Sequence, residues 1–206
     1  MCCDVPGLLF WSTLGPLEDT PLDHFDWLAP LYDRIIQPPD HDVLTDLLEL
    51  PIEGRLLDAG GGTGRIAARL QDQAAQIVVA DVSLPMLALA LEKACCAVVG
   101  SHTELLPFPD SAFQRVIVVD AYHHLVDQAA SLAEFWRVLD RGGLLVIEEP
   151  DIDHFGVKLV AIAEKLTFFR SHFVRAERIA EALQTMGAQT DMIHVGHNVW
   201  VVARKV

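Results

Sequence analysis

The sequence predicts an α/β fold: one doubly wound sheet, mostly parallel, closed by an antiparallel C-terminal hairpin. Three observations carry this. Short β-branched and aliphatic runs alternate with amphipathic helical stretches from His41 onward. A glycine cluster follows the first run directly, and the last two runs are separated only by a short turn. Alternation of this kind implies strands buried under helices on both faces, and two runs around a tight turn imply a hairpin.

Residues 1–40 read as an N-terminal cap or lid segment. They hold six of the 11 prolines, and their one amphipathic stretch (Phe25, Leu28, Leu31, Tyr32, Ile35) is interrupted at Pro30, whose ring removes a backbone donor and breaks a helix. Residues 41–206 form the ligand-binding domain. Val43, Leu44, Leu47 and Leu48 recur at helical spacing, Arg55–Ala59 is strand-like, and a helix runs from Ile66 to Leu70. Ile77–Asp81 is a β-branched strand, followed by a helix over Met86–Lys93. Further strands are expected at Ala97–Gly100, Arg115–Val119 and Leu144–Glu148, with a helix carrying Leu132, Phe135, Trp136 and Leu139 between the last two. After a helix around Ala176–Met186, Asp191–Val195 and Val199–Arg204 flank the turn Gly196-His197-Asn198. That makes seven strands, with no internal repeat and no interdomain linker.

Composition bounds the function. With 206 residues the chain is one domain with a short appendage, and 51% apolar residues with a mean hydropathy of +0.30 supply a core and exclude general disorder. A net charge of −14 repels phosphate backbones and anionic lipid surfaces, which argues against nucleic-acid and membrane partners. No run approaches the roughly 18 apolar residues of a membrane span, and the apolar first fifteen residues lack a preceding basic residue, so no secretory signal is read. A cytoplasmic protein is expected. The cysteines lie in two adjacent pairs, Cys2-Cys3 and Cys95-Cys96, a spacing that suits neither zinc sites nor a disulfide framework, so free thiols are expected.

In such a sheet, ligands bind beyond the carboxyl ends of the strands. After the first strand the chain reads Asp58-Ala59-Gly60-Gly61-Gly62-Thr63-Gly64-Arg65. Glycines let backbone amides approach a ligand, and the following helix offers a positive N-terminus. A dinucleotide fingerprint needs glycine where Arg65 stands, and the lysine of a phosphate loop is missing, so neither NAD nor a nucleoside triphosphate is favoured. Asp81 ends the second strand, where a carboxylate can accept hydrogen bonds from the two hydroxyls of a ribose, although an N-cap role is the alternative. A nucleoside ligand is implied.

The segments Leu57–Gly64, Asp81-Val82-Ser83 with Met86-Leu87, Glu104-Leu105-Leu106-Pro107-Phe108-Pro109-Asp110, and Arg137-Val138-Leu139 with Gly142-Gly143 resemble class I S-adenosylmethionine-dependent methyltransferases. The resemblance is nearest to the group with ubiquinone/menaquinone biosynthesis C-methyltransferases and small-molecule O-methyltransferases. It implies a Rossmann-like sheet and the cofactor S-adenosyl-L-methionine, with S-adenosyl-L-homocysteine as product. Asp58, Ala59, Gly60, Gly61, Gly62 and Gly64 would hold the methionine moiety, with Asp120 beside it, and Asp81 would hold the ribose. Val82 and Met86 would line the adenine. His102, with Thr103 after it, stands where the family often has an acidic residue near the adenine amine.

The implied reaction is methyl transfer by in-line displacement to a small, apolar or aromatic acceptor. The protein works mainly by alignment and exclusion of water, with a base needed only for a protonated nucleophile. His123 and His124 are the candidate bases, as imidazoles at a strand's carboxyl end. Tyr32, Tyr122, Glu148 and Glu149 are expected on the acceptor side. The acidic run after the fifth strand, with nearby histidines, has a metal-binding alternative, and the reading adopted is no metal. Phe10, Trp11, Phe25, Trp27 and Tyr32 suit either a lid or a packed cap. Two other classes stay open: a catalytically silent cofactor-binding or protein-interaction module, and an NAD(P)-dependent oxidoreductase. A thiol- or arsenite-methylating variant would use Cys95-Cys96.

Overall fold

A computed structural model describes residues 39–151, 172 and 174–206. Residues 1–38 of the expected cap, with Tyr32 and the other aromatics suited to a lid or a packed cap, lie outside the described residues. The elements in order are α1 (His41–Leu47), β1 (Ile52–Ala59), α2 (Arg65–Arg69), β2 (Ala74–Asp81), α3 (Leu84–Glu92), β3 (Ala97–Gly100), β4 (Phe113–Val119), a 3-10 turn (Tyr122–His124), α4 (Gln128–Val138), β5 (Leu139–Pro150), α5 (Ala176–Thr185), β6 (Ala188–Val195) and β7 (Asn198–Lys205).

The seven strands form one sheet in the order β3-β2-β1-β4-β5-β7-β6. Strands β1 to β5 pair in parallel, and β7 enters antiparallel between β5 and β6. The expected α/β sheet with its C-terminal hairpin is therefore what the chain forms. The strand order reverses between β1 and β4, which opens a crevice at their carboxyl ends.

Strand alternation splits the core into two layers. Leu57, Val78, Val116, Val118, Leu145 and Ile147 face α4 and α5, meeting Leu132, Phe135, Ile179 and Leu183. Their neighbours Leu56, Ile77, Val79, Ile117 and Val146 face the other way, onto Leu44 and Leu48 at α1 and Ile66 and Leu70 at α2. Each fully buried aliphatic side chain contributes roughly 1.5–3 kcal/mol. This two-sided burial is why the strands read as continuous apolar runs rather than alternating ones.

Local signals set the helix starts. Asp40 accepts from the Asp42 amide at 2.9 Å, Ser83 from Met86 at 3.3 Å with Pro85 in the first turn, and Asp127 from Ala130 at 2.9 Å. Ser83, not Asp81, caps α3, which leaves Asp81 outside the helix.

Of the boundaries that differ from expectation, two bear on the site. Strand β5 begins at Leu139, which the sequence pattern gives to the preceding helix, and runs past Glu148 to Pro150, because β7 pairs with it as far as Pro150 against Asn198. Glu148 has partners in both β4 and β7, and β7 alone holds Glu149 and Pro150 in a strand where composition reads a loop. The C-terminal turn is shorter than expected, since Asn198 is already in β7 and only Gly196, at φ +64°, and His197 connect the strands.

Candidate functional site

The crevice is built from the glycine turn, the end of β2, and the ends of β4 and β5. Beyond β1 the chain turns back under itself: the Gly60 amide donates to Ala80 O at 2.7 Å and that of Gly64 to Gly61 O at 2.9 Å. Gly62, at φ +52°, shows why glycine is required. Its backbone is left-handed, its amide donates to Asp81 Oδ2 at 2.8 Å, and a Cβ there would project toward Asp81 and the Met86 sulfur at 3.9 Å. The Ser83 amide donates to Asp81 Oδ1, also at 2.8 Å. Both carboxylate oxygens are thus aimed by backbone, and each keeps lone-pair capacity for a further donor.

Asp58, on β1, is 1% exposed, and neither of its oxygens has a hydrogen-bond partner among the described residues. A Cβ at Gly61 would fall 2.5 Å from its carboxyl carbon, so the turn lies directly on this group. Burial pushes its pKa up to about 7, against the pull of Arg65. Arg65 opens α2 and is itself buried, and its guanidinium donates to Asp120 Oδ2 at 2.7 Å. Asp120 follows β4 at φ +52°, a conformation that few residues other than glycine adopt. The ion pair holds it there across the crevice. The sequence reading used Arg65 only as evidence against a dinucleotide. Its signal as a site residue was available in its place at the helix start among acidic strand ends.

Glu148 and Glu149 are adjacent in β5 and therefore point to opposite faces. Glu148 is 1% exposed, on the α1 face. Asn198 Nδ2 donates to its Oε1, and its Oε2 has no hydrogen-bond partner among the described residues. Burial and the nearby Asp120 carboxylate push its pKa up to about 8. It lines a cavity of about 160 Å³ with Asp120 and Asn198, walled by Pro39, Val43, Val195 and Trp200. Asn198 is a second residue that sequence reasoning passed over, as part of a turn.

Glu149 lies on the other face. It accepts from the His123 amide at 3.2 Å and from His123 Nδ1 at 3.1 Å, pinning the 3-10 turn to β5. The His123 and His124 ring centroids lie 4.0 Å apart with the planes tilted by 49°. Burial, then His123, lowers the His124 pKa to about 3, which makes this imidazole a weak proton acceptor. Tyr122 is buried too and donates to Gln128 O at 3.3 Å, with its pKa pushed up to about 12 by burial. Its hydroxyl braces the start of α4.

Among the residues expected at the adenine, Met86 is buried under the turn and Val82 is 44% exposed. His102 is half-buried, 4.0 Å from Glu104. Thr103 points away, its hydroxyl bonded to Ser131 Oγ at 2.8 Å on α4, so its expected cofactor contact is not formed by that group. Ser101, directly after β3, has a buried hydroxyl without a partner among the described residues. Those residues hold no group of three or more His, Cys, Asp and Glu side chains arranged for a metal ion.

Part of this chain has counterparts among known proteins. Residues 57–147 match the family model described as a methyltransferase domain. Over this stretch, less than half of its length, the chain is similar to methyltransferase domains, and S-adenosyl-L-methionine is the cofactor that the resemblance implies. It is 38% identical over 102 residues to demethylmenaquinone methyltransferase of Thermus thermophilus, covering 46% of this chain and 46% of that protein. It is 33% identical over 104 residues to a ubiquinone/menaquinone biosynthesis C-methyltransferase of a Marinomonas species, covering 46% and 41%. The matched region is thus about half the length of these relatives. The fold is also that of a Thermotoga maritima protein described as a possible histamine N-methyltransferase, with a TM-score of 0.72 and 21% identity over 88% of this chain and 98% of that one.

The residues present fit this cofactor. It carries two positive charges, on the sulfonium and the amine, and a ribose diol. A buried carboxyl without partners gains most from a cation, and the aimed oxygens of Asp81 suit two neutral hydroxyls.

Proposed function

We propose that this protein transfers a methyl group from S-adenosyl-L-methionine to a small apolar or aromatic acceptor. The observation that carries the reading is the pair of carboxylates on either side of the glycine turn: Asp58, buried with no well-formed hydrogen bond among the described residues, and Asp81, aimed by two amides. Asp58 with the Gly60–Gly64 turn would hold the methionine moiety and Asp81 the ribose, while Val82, Met86 and the free hydroxyl of Ser101 flank the adenine.

The bound cofactor supplies an activated methyl group. The chain's own part is to align it and keep water out, effects worth about 7 kcal/mol or more. Arg65 and Asp120 fix the β4 end of the crevice. His123 and His124, read from sequence as bases, are better placed to hold the turn at the end of β4, given the grip of Glu149 on His123 and the low basicity of His124. The quinone-related names of the relatives support an aromatic acceptor. No helix among the described residues is long and apolar enough to cross a membrane, and the free thiols of Cys95 and Cys96 suit a reducing, cytoplasmic setting.

Calorimetric titration with S-adenosyl-L-methionine, S-adenosyl-L-homocysteine and NAD tests this. Binding of both adenosyl ligands in the micromolar range, near −8 kcal/mol, without NAD binding, is the expected result. Failure of both to bind overturns the reading in favour of a silent module. NAD binding alone favours an oxidoreductase.

A further inference from the structure

Resting on the methyltransferase reading, we infer that Glu148 is the proton acceptor for the incoming nucleophile, and that the cavity it lines takes a single-ring molecule bearing a hydroxyl.

Four observations converge on it. Glu148 is the polar centre of the 160 Å³ cavity, and its Oε2 is buried without a hydrogen bond among the described residues. A hydrogen bond from Asn198 fixes its other oxygen, so the open one has a defined direction. Pro39, Val43, Val195 and Trp200 give the cavity an apolar side opposite the polar groups Asp40, Asp120, Glu148 and Asn198, and a cavity of about 150 Å³ has room for a single ring. Asp120 lines the same cavity while tied to Arg65 at the start of the cofactor-binding turn, so the cavity adjoins the cofactor crevice.

The charged groups around Glu148 come from every element that packs near it. Asp120 after β4 and Glu149 on β5 disfavour its negative charge, while Arg65 on α2 and the Asn198 amide on β7 favour it. Asp40, before α1, lines the far wall. Burial and Asp120 prevail, which places the carboxyl at about 8, close to the optimum for a base working near neutrality. The histidines of the 3-10 turn do not line this cavity.

The step balances. The acceptor's O–H proton passes to Glu148 Oε2, the oxygen's electron pair forms the new bond to the methyl carbon, and the carbon–sulfur bond breaks with its pair retained on sulfur. Glu148 then returns the proton to water. Asn198 is a positioning residue that acts through Glu148.

The test uses the full chain and 4-methylphenol, the tyrosine side-chain analogue, which stays protonated in water well below its pKa of about 10. Its binding to the protein saturated with S-adenosyl-L-homocysteine is followed by calorimetry and by tryptophan emission, since Trp200 lines the cavity. Methyl transfer is followed from about pH 6 to about pH 9 with the methyl donor. Glu148→Gln keeps the shape of the wall and is expected to bind the phenol as the wild type does. Its rate should fall by about 10²–10⁴-fold, and the limb that rises through the Glu148 titration should disappear. Asn198→Ala removes a donor to the charged form, so the same limb should move to higher pH with KM unchanged.

A Glu148→Gln variant that keeps both rate and limb overturns the inference, as does failure to bind or methylate the phenol while the adenosyl ligands bind. If the adenosyl ligands do not bind at all, the underlying reading has failed instead. Should Glu148→Gln not fold, the direction of the Asn198→Ala shift decides, and an unmoved limb overturns the assignment.

Discussion

The two carboxylates flanking the glycine turn are built on opposite principles. At Asp81 the fold has done the organising, because amides of Gly62 and Ser83 reach both oxygens at 2.8 Å. At Asp58 the carboxyl is more deeply buried, yet neither oxygen has a well-formed hydrogen bond among the described residues, the Ala67 amide and Arg65 only partly offsetting its burial. A carboxylate held by amides is charged and directed before any ligand arrives, which suits neutral hydroxyls. One without partners is costly until a cation comes, so the ligand completes what the fold leaves open. Strand β5 repeats this contrast, where Glu149 is engaged by His123 and Glu148 keeps an oxygen with no hydrogen bond among the described residues.

The sharpest way to break the comparison is Asp58→Asn. In the ligand-free protein the folded-state pKa of Asp58, about 7, lies above its ordinary value of 3.8. The folded chain therefore holds a proton that the unfolded chain has released. Stability is lost as pH rises from about 4 to about 7 and stays lost above that, while below pH 4 the group contributes no difference. Removing the group should stabilise the ligand-free protein at pH 8 relative to pH 4, by about 2–4 kcal/mol against the wild type over the same window. Cofactor affinity should fall in the same variant. Denaturant unfolding at the two pH values measures the first effect, and parallel curves for the two proteins would remove the idea of a destabilising Asp58. Glu148 adds a trend of the same sign in both proteins, so the difference between them isolates Asp58.

A smaller effect is expected from Asp81→Ala, which removes an organised acceptor. Cofactor affinity should weaken by about 1–3 kcal/mol, the scale of a hydrogen bond to a charged group. Calorimetry on a folded variant checks it, and unchanged affinity would reduce Asp81 to a brace for the turn. The smallest effect is expected from replacing both Cys95 and Cys96 with Ser. Both thiols are half-buried, and burial holds Cys96 well above its ordinary range, at about 12, as an unreactive thiol. Stability should change by less than about 1 kcal/mol, with cofactor binding and methyl transfer intact. Lost transfer would bring the thiol-methylating variant back.

Much of the fold was legible because it depends on local periodicity. The runs at Ile77–Asp81 and Arg115–Val119 and the hairpin around Gly196 announced themselves by apolar patterning and turn chemistry. The glycine turn and Asp81 were legible as a ligand-binding pair for the same reason, since their spacing along the chain is fixed by one β-α-β unit. The hydroxyl contacts of Thr103 and Tyr122 were not legible, because a hydroxyl's partner lies on another element. Ser131 is 28 residues from Thr103, and no local pattern links them.

By itself, the sequence determined which segments are strands, where the chain must turn through left-handed backbone, and that acidic groups gather at the strand ends. Only the tertiary structure decided what those groups do. Pairing with β7 kept Glu148 and Glu149 in a strand and so sent them to opposite faces, and the fold brought Arg65 to Asp120 across 55 residues and Asn198 to Glu148 across 50. The physical reason is that burial and partnership set the charge state of a carboxyl, and both are properties of the packed molecule that no stretch of chain carries alone.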